Sequence, residues 1–320
     1  MKTILIDNSL CVYTLRDDVN PEYIYRYIES LGEAGVKYVE MDFRALMKMK
    51  ALPRNIGYIF RLVDPMFLKL CEVFDFDYVH LTLSDIKKGV RTHRPVMLGL
   101  SAGENLSAKV FHYASQALKG EITAVRLRGS FPMMSHESAS GYISHLKNEV
   151  PVPIDICPMN GRKTALDTAM KFTGANVDSL TLSLGQGEKF CALESYFFTL
   201  ITVFNRLPKE YSFSALCRAA AIQRVIFRNY TEFIPELFRI AEQDNRTLRN
   251  VDTGEPSRIK VNVFDSQVVR RAYVTALERL AREEDIPEDI FVTIEDAIRR
   301  FDASFFNDSI LGERKQVFLN

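Results

Sequence analysis

For about its first 205 residues the chain alternates short apolar runs with amphipathic stretches. Eight runs read as strands, each four to eight residues long and rich in β-branched or apolar side chains. They are Thr3–Asp7, Tyr38–Phe43, Ile56–Val63, Tyr78–Leu83, Val96–Leu100, Ala124–Leu127, Pro153–Cys157 and Ser179–Leu184. Near-continuous apolar runs of this length suit strands buried on both faces, as in a parallel sheet.

Helical patterns lie between most of these runs. Pro21–Leu31 follows Asn20, a good N-cap, has proline at its first position, and places Ile24, Tyr27, Ile28 and Leu31 on one face. Asp64–Phe74 starts the same way. Asn105–Leu118, Ser138–Lys147, Arg162–Thr173 and Glu188–Asn205 complete the set, while Ser84–Arg94 is polar enough to hold only a turn or a short helix. Strands alternating with helices predict right-handed crossovers and a closed (βα)8 TIM barrel over residues 1–207. An open doubly wound sheet is the alternative, but no GxGxxG motif follows the first strand to favour it. After Pro208 the texture changes to helical patterns at Ser212–Arg228, Pro235–Gln243, Ser266–Glu284 and Val292–Phe306, with a polar link over Asp244–Arg258. Residues 208–320 therefore read as a helical appendage that packs on the barrel or serves a dimer contact.

Composition narrows the picture further. Lys+Arg and Asp+Glu are balanced at 41 each, so nothing points to a nucleic-acid partner or a membrane surface. The five cysteines, Cys11, Cys71, Cys157, Cys191 and Cys217, are widely spaced without a CxxC pair, as expected of a reduced protein. No apolar stretch reaches membrane-spanning length, and the expected location is cytoplasmic.

A parallel barrel carries its chemistry at the C-terminal ends of its strands. Those ends supply Asp7, Asn8 and Ser9; Glu40 and Asp42; Arg61; Ser84 and Asp85; Ser101, Glu104 and Asn105; Arg126 and Arg128; Asp155 and Cys157; Gln186 and Glu188. Three arginines on one rim suit an anionic ligand such as an oxo acid or di-acid, because guanidinium binds carboxylate bidentately. A solvent-facing barrel mouth also gathers charge for no functional reason.

Several motifs, in order, resemble the pyruvate-carboxyltransferase barrels of homocitrate synthase, isopropylmalate synthase and hydroxymethylglutaryl-CoA lyase. Ala34–Glu40 reads AGVKYVE, PIDICPMNG closes the seventh strand, TGA lies at Thr173–Ala175, and Gly185–Ala192 reads GQGEKFCA. The resemblance implies a barrel with one divalent metal, held by an Asp, two His and an Asn, that polarises an oxo-acid carbonyl. Anchored on these motifs, the two His positions fall on Asp155 and Cys157, and the Asn position falls on Ala192.

The family opens with Asp-x-Thr-Leu-Arg-Asp-Gly, and two registers compete for it. The conspicuous TLRDD at Thr14–Asp18 would place the following helix about seven residues too soon. The register that starts at Asp7 fits the strand end better, and it turns the catalytic Arg into Cys11 and the metal-binding Asp into Val12. The four ligand positions then read Val12, Asp155, Cys157 and Ala192, while the family's second-strand Glu is kept as Glu40. His80, inside a strand, reads as packed rather than catalytic.

The resemblance thus implies a diverged barrel that has lost its metal and binds a small anionic metabolite through Arg61, Arg126, Arg128 and Asp155, with Glu40 and Asp7 ordering the site. No cofactor is expected, and a divalent metal would require a rebuilt ligand set. One alternative is an active C–C bond-forming or -cleaving enzyme with unusual ligands and Asp155 or Glu40 as base. Another is a non-catalytic partner of a paralogous synthase, associating as a homodimer or hetero-oligomer through its C-terminal region.

Overall fold

The computed structural model describes residues 3–102, 106–118, 121–161, 164–185, 189–204 and 210–228. Eight parallel strands close in sequence order into one barrel: β1 (Ile4–Asp7), β2 (Tyr38–Met41), β3 (Gly57–Arg61), β4 (Tyr78–Thr82), β5 (Val96–Ser101), β6 (Ile122–Gly129), β7 (Ile154–Pro158) and β8 (Ser179–Leu182). The closing pair aligns Ile4 with Ser179 and Asp7 with Leu182. The open-sheet alternative is therefore wrong, since a sheet paired end to end leaves no free edge.

The helices are α1 (Ser9–Val12), α2 (Pro21–Glu33), α3 (Phe43–Leu46), α4 (Leu70–Val73), α5 (Leu83–Lys87), α6 (Ala108–Ala117), α7 (His136–Glu149), α8 (Ala165–Gly174), α9 (Leu193–Phe204) and α10 (Phe213–Ile226). Asn20 caps α2 by accepting from the Glu22 backbone N–H at 3.0 Å, with Pro21 leading the helix. The stretch expected as one helix from Asp64 divides into a 3-10 turn over Pro65–Lys69 and the single turn α4. The polar segment after β4 holds α5, whose start is fixed by a capping box between Thr82 and Asp85. The helices read beyond residue 228 lie outside the described residues.

Side chains alternate across each strand, so every strand feeds two cores. The outward set packs under the helices as one large core that includes Leu5, Val39, Phe60, Val79, Leu98 and Leu127. The inward set begins with an apolar plug of Ile6, Ile59, Met97 and Ala124, flanked by Tyr38 and Tyr78 packed edge-on at 5.6 Å. Two residues further along the strands the lumen turns polar.

Helix α10 packs against α2. The backbone N–H of Ser212 donates to Ala34 O at 3.2 Å, Arg218 pairs with Glu33, and Phe227 packs on Tyr13 and Tyr27 with ring centroids 5.2 and 5.8 Å away. Gly35, at φ +100°, lies so close to Tyr211 that a Cβ would fall 2.4 Å from the ring, so this turn requires glycine twice over. The first helix after residue 208 is thus built onto the barrel.

Candidate active site

Directly above the apolar plug, Glu40 (β2), His80 (β4), Arg126 (β6) and Asp155 (β7) point into the lumen and form one buried network. Arg126 is only 1% exposed and donates through Nη1 to Glu40 Oε1 at 2.7 Å and through Nε to Asp155 Oδ2. His80 Nδ1 lies 2.5 Å from the same Glu40 oxygen. Asp155 also accepts from Ser179 Oγ at 2.8 Å and Thr181 Oγ1 at 2.7 Å, both on β8. Five strands thus contribute to one cross-barrel tie.

The electrostatics follow from burial and pairing. Burial alone would raise Glu40, but the Arg126 guanidinium and His80 reverse this and hold its carboxyl well below the usual range. Burial would lower Arg126, yet Glu40 and Asp155 keep it firmly charged. Burial pushes His80 down against the pull of Glu40, so the ring is neutral at pH 7. A neutral imidazole beside a carboxylate donates from Nδ1, and that fixes its tautomer. Space for the ring comes from Gly99 on β5, where a Cβ would lie 2.2 Å from His80 Nε2.

Asp7 takes a different place from the one expected. Because Ile6 faces the lumen, Asp7 faces the helix layer, where it accepts from Ser9 N (3.0 Å), Ser9 Oγ (2.8 Å) and Leu184 N (3.0 Å). Next to it, Ser183 Oγ donates to Asn8 Oδ1 at 2.5 Å. The Asp7–Ser9 turn is therefore a clasp across the β1/β8 seam. Burial raises the Asp7 carboxyl to about 6 despite these donors.

Arg61 and Arg128 stand at the mouth, half-buried. Arg128 lies over the Phe190 ring, 4.9 Å from its centroid. Neither arginine makes an ion pair among the described residues. Asp42 is committed to Arg44, which also donates to Cys11 O at 3.1 Å, and Asp85 is committed to the α5 cap. Glu104, Asn105, Gln186 and Glu188 lie outside the described residues.

The TLRDD segment turns away from the lumen. Leu15 forms an antiparallel bridge with Phe227, Arg16 N donates to Ile226 O at 2.9 Å, Arg16 Nε donates to Phe227 O at 3.3 Å, and Asp17 pairs with Arg228.

The ligand positions implied by the resemblance do not fit a divalent metal. Val12 and Ala192 offer no side-chain donor atom, and the Asp155 oxygens are taken by Arg126, Ser179 and Thr181. The Cys157 thiol, raised to about 12 chiefly by burial, stays protonated. Among the described residues no group of three or more His, Cys, Asp or Glu side chains is placed to hold a metal ion. Nor is any described helix long and apolar enough to cross a membrane.

His80, the two β8 hydroxyls and Gly99 escaped the sequence reading as members of this site. Alternation along YVHLTL places His80 on the lumen side with Tyr78, which is the signal that could have found it.

Neither a protein-family model nor a curated protein sequence matches the chain. Solved structures do match in fold. A hydroxymethylglutaryl-CoA lyase from Pseudomonas aeruginosa superimposes with a TM-score of 0.54 at 11% identity, over 76% of this chain and 98% of that one. The Acinetobacter baumannii lyase, solved with coenzyme A and 3-methylmalate, gives 0.52 at 12% identity, over 70% and 91%. The carboxyl transferase domain of Rhizobium etli pyruvate carboxylase, solved with 3-bromopyruvate, gives 0.50 at 11% identity, over 99% and 72%.

Proposed function

Starting from a barrel with the fold of hydroxymethylglutaryl-CoA lyases and carboxyl transferase domains, we propose that this chain binds a small oxo acid or di-acid at the C-terminal end of the barrel without the metal-dependent aldol chemistry of the homocitrate synthase type. The observation that carries this reading is the contrast among its three arginines. Arg126 is neutralised by Glu40 and Asp155 and forms the floor. Arg61 and Arg128, above it, have no carboxylate partner among the described residues, so their charge is available to an anionic ligand. Arg126 Nη2 is buried without a partner and offers one further donor.

The alternative in which Glu40 or Asp155 acts as a general base has little support from this geometry. A carboxylate held well below its usual range by a guanidinium is a weak base at neutral pH. Asp155 already accepts from three groups. Glu40, His80 and Asp155 instead keep the floor rigid, and Asp7 closes the seam behind it.

The test is metal content and turnover together. The purified protein, dialysed against Mg²⁺, Mn²⁺ or Zn²⁺ and then desalted, should retain far less than one equivalent. It should neither condense acetyl-CoA with an oxo acid nor cleave a hydroxyacyl-CoA. Stoichiometric metal with turnover would overturn the reading.

A further inference from the structure

At its mouth the barrel is not closed by β7 and β8 alone. These strands pair directly at Asp155–Ser179 and Ile156–Leu180, and above that point the segment from Lys189 to Leu193 enters between them. Cys191 N donates to Pro158 O at 3.2 Å on the β7 side, and Cys191 O accepts from Ser183 N at 3.1 Å on the β8 side. Asn160 N donates to Lys189 O at 2.8 Å, and Leu193 N donates to Ser183 O at 2.8 Å. Met159 faces Phe190 in an antiparallel bridge, and Ser183 faces Ala192 in a parallel one. The backbone of this insert is thus fixed along both edges.

The insert brings one aromatic ring to the mouth. Phe190 is 3% exposed, and the Arg128 guanidinium lies over its ring, 4.9 Å from the centroid. The two are also tied through the backbone, since Met159 N donates to Gly129 O at 2.7 Å, one residue beyond Arg128. Ser101 and Cys157 flank Arg128 in the strand register. Serine carries no charge and burial keeps the Cys157 thiol protonated, so neither supplies a counter-charge. Among the described residues Arg128 has this cation–π contact and no ion pair.

We propose that Phe190 is a positioning residue for the anion site, holding Arg128 in its binding orientation before a ligand arrives. The inference rests on the anion site proposed above and names what prepares it. A free arginine side chain loses rotamer freedom when it engages a ligand, and a contact that restrains it beforehand removes that cost. The ring attracts the cation through its π face, which an aliphatic side chain of similar bulk lacks. With one guanidinium face covered, the N–H edge is left for the ligand, the geometry in which arginine takes a carboxylate bidentately.

The test uses the full-length protein in a metal chelator. Without ligand, the Arg128 Nε–H, assigned in ¹⁵N spectra by its loss in Arg128→Lys, should show restricted motion, and Phe190→Leu should release it. In calorimetric titration with pyruvate, 2-oxoglutarate and malate, Phe190→Leu should weaken the binding of whichever acid wild type takes by about 3–30-fold, the equivalent of one cation–π contact. Replacing Phe190 with difluoro- and then trifluorophenylalanine should lower affinity stepwise while the denaturation midpoint holds, a trend that ring size alone does not produce. In an Arg128→Gln background the Phe190→Leu change should alter affinity by less than about two-fold, since the group it positions is gone. An acid that binds wild type and Phe190→Leu equally, or an affinity indifferent to fluorination, would overturn this inference and leave the anion site standing. An Arg128 Nε–H already mobile in wild type would overturn it whatever binds. A held Nε–H with no acid bound by wild type would overturn the anion site itself, and this inference with it.

Discussion

Arg126 reaches across the barrel to Glu40, with Nη1 2.7 Å from Oε1, and both side chains are at most 2% exposed. Charges this deep are kept by mutual compensation, so the removal of one partner costs more than the pair contributes. Replacing Arg126 with Met should destabilise the fold by about 3–5 kcal/mol at pH 7. Removing the stranded charges as well, in Glu40→Gln/Arg126→Met/Asp155→Asn, should recover much of that loss. Urea denaturation of the three proteins checks this; equal stability of wild type and Arg126→Met would refute the tie.

Gly99 and His80 form a tight steric pair across β4 and β5. Gly99→Ala should cost about 1–3 kcal/mol, the usual range for overpacking a filled core. In a His80→Ala background the same change should cost under about 0.5 kcal/mol, because the ring it displaces is gone. A double-mutant cycle by thermal or chemical denaturation measures the coupling, and additive costs would show that the Gly99 space serves something else.

Two buried groups should make stability depend on pH in opposite senses. Asp7 titrates near 6 in the folded chain, above its ordinary value of 3.8, so the folded state holds that proton more tightly. Its contribution is present at low pH and is lost as pH rises through about 6. The full shift corresponds to about 3 kcal/mol at 1.36 kcal/mol per unit. The stability of wild type relative to Asp7→Asn should therefore fall as pH rises from 5 to 7. His80 is lowered from 6.5, so the unfolded chain takes its proton first and stability is lost as pH falls below 6.5. That acid sensitivity should be weaker in His80→Gln. Unfolding free energies between pH 4.5 and 8 test both, and parallel profiles for all three proteins would contradict the assignment.

The β1 clasp should matter for folding more than for binding. Ser9→Ala removes the hydroxyl that donates to Asp7 and accepts from Leu184 N at 2.7 Å. A loss of about 1–3 kcal/mol is expected for a buried hydrogen-bond partner, with ligand affinity unchanged within two-fold. Calorimetric affinity and denaturation midpoint measured on the same preparation separate the two effects.

The barrel was legible because a parallel strand buried on both faces leaves an apolar run that needs no partner to be recognised. One end was legible as well, since β1 stops at Asp7 where the apolar run stops, whereas β3 stops at Arg61, two residues before the Val63 end that its apolar run predicts. Short polar elements were not. The start of α5 depends on the reciprocal Thr82–Asp85 bonds, and nothing in the apolar pattern reports them. Nor could the sequence alone give the pairing of Glu40 with Arg126, which joins opposite walls of a closed barrel and depends on register around all eight strands. The reading of Asp7 failed on parity, since one residue's shift along a strand moves a side chain from the lumen to the helix layer. TLRDD, which the strand register already sets aside as the family's opening motif, joins its backbone and charges to the end of α10.

The most direct test of the proposed function is calorimetric titration, in a metal chelator, with pyruvate, 2-oxoglutarate and malate as probes. Wild type should bind at least one of them in the chelator. Arg61→Gln and Arg128→Gln should each weaken that binding by about 10–100-fold, the equivalent of one charge-assisted contact of about 1.5–3 kcal/mol, while the denaturation midpoint stays within a few degrees. Binding that appears only with added divalent metal, or that is indifferent to both substitutions, would contradict the account.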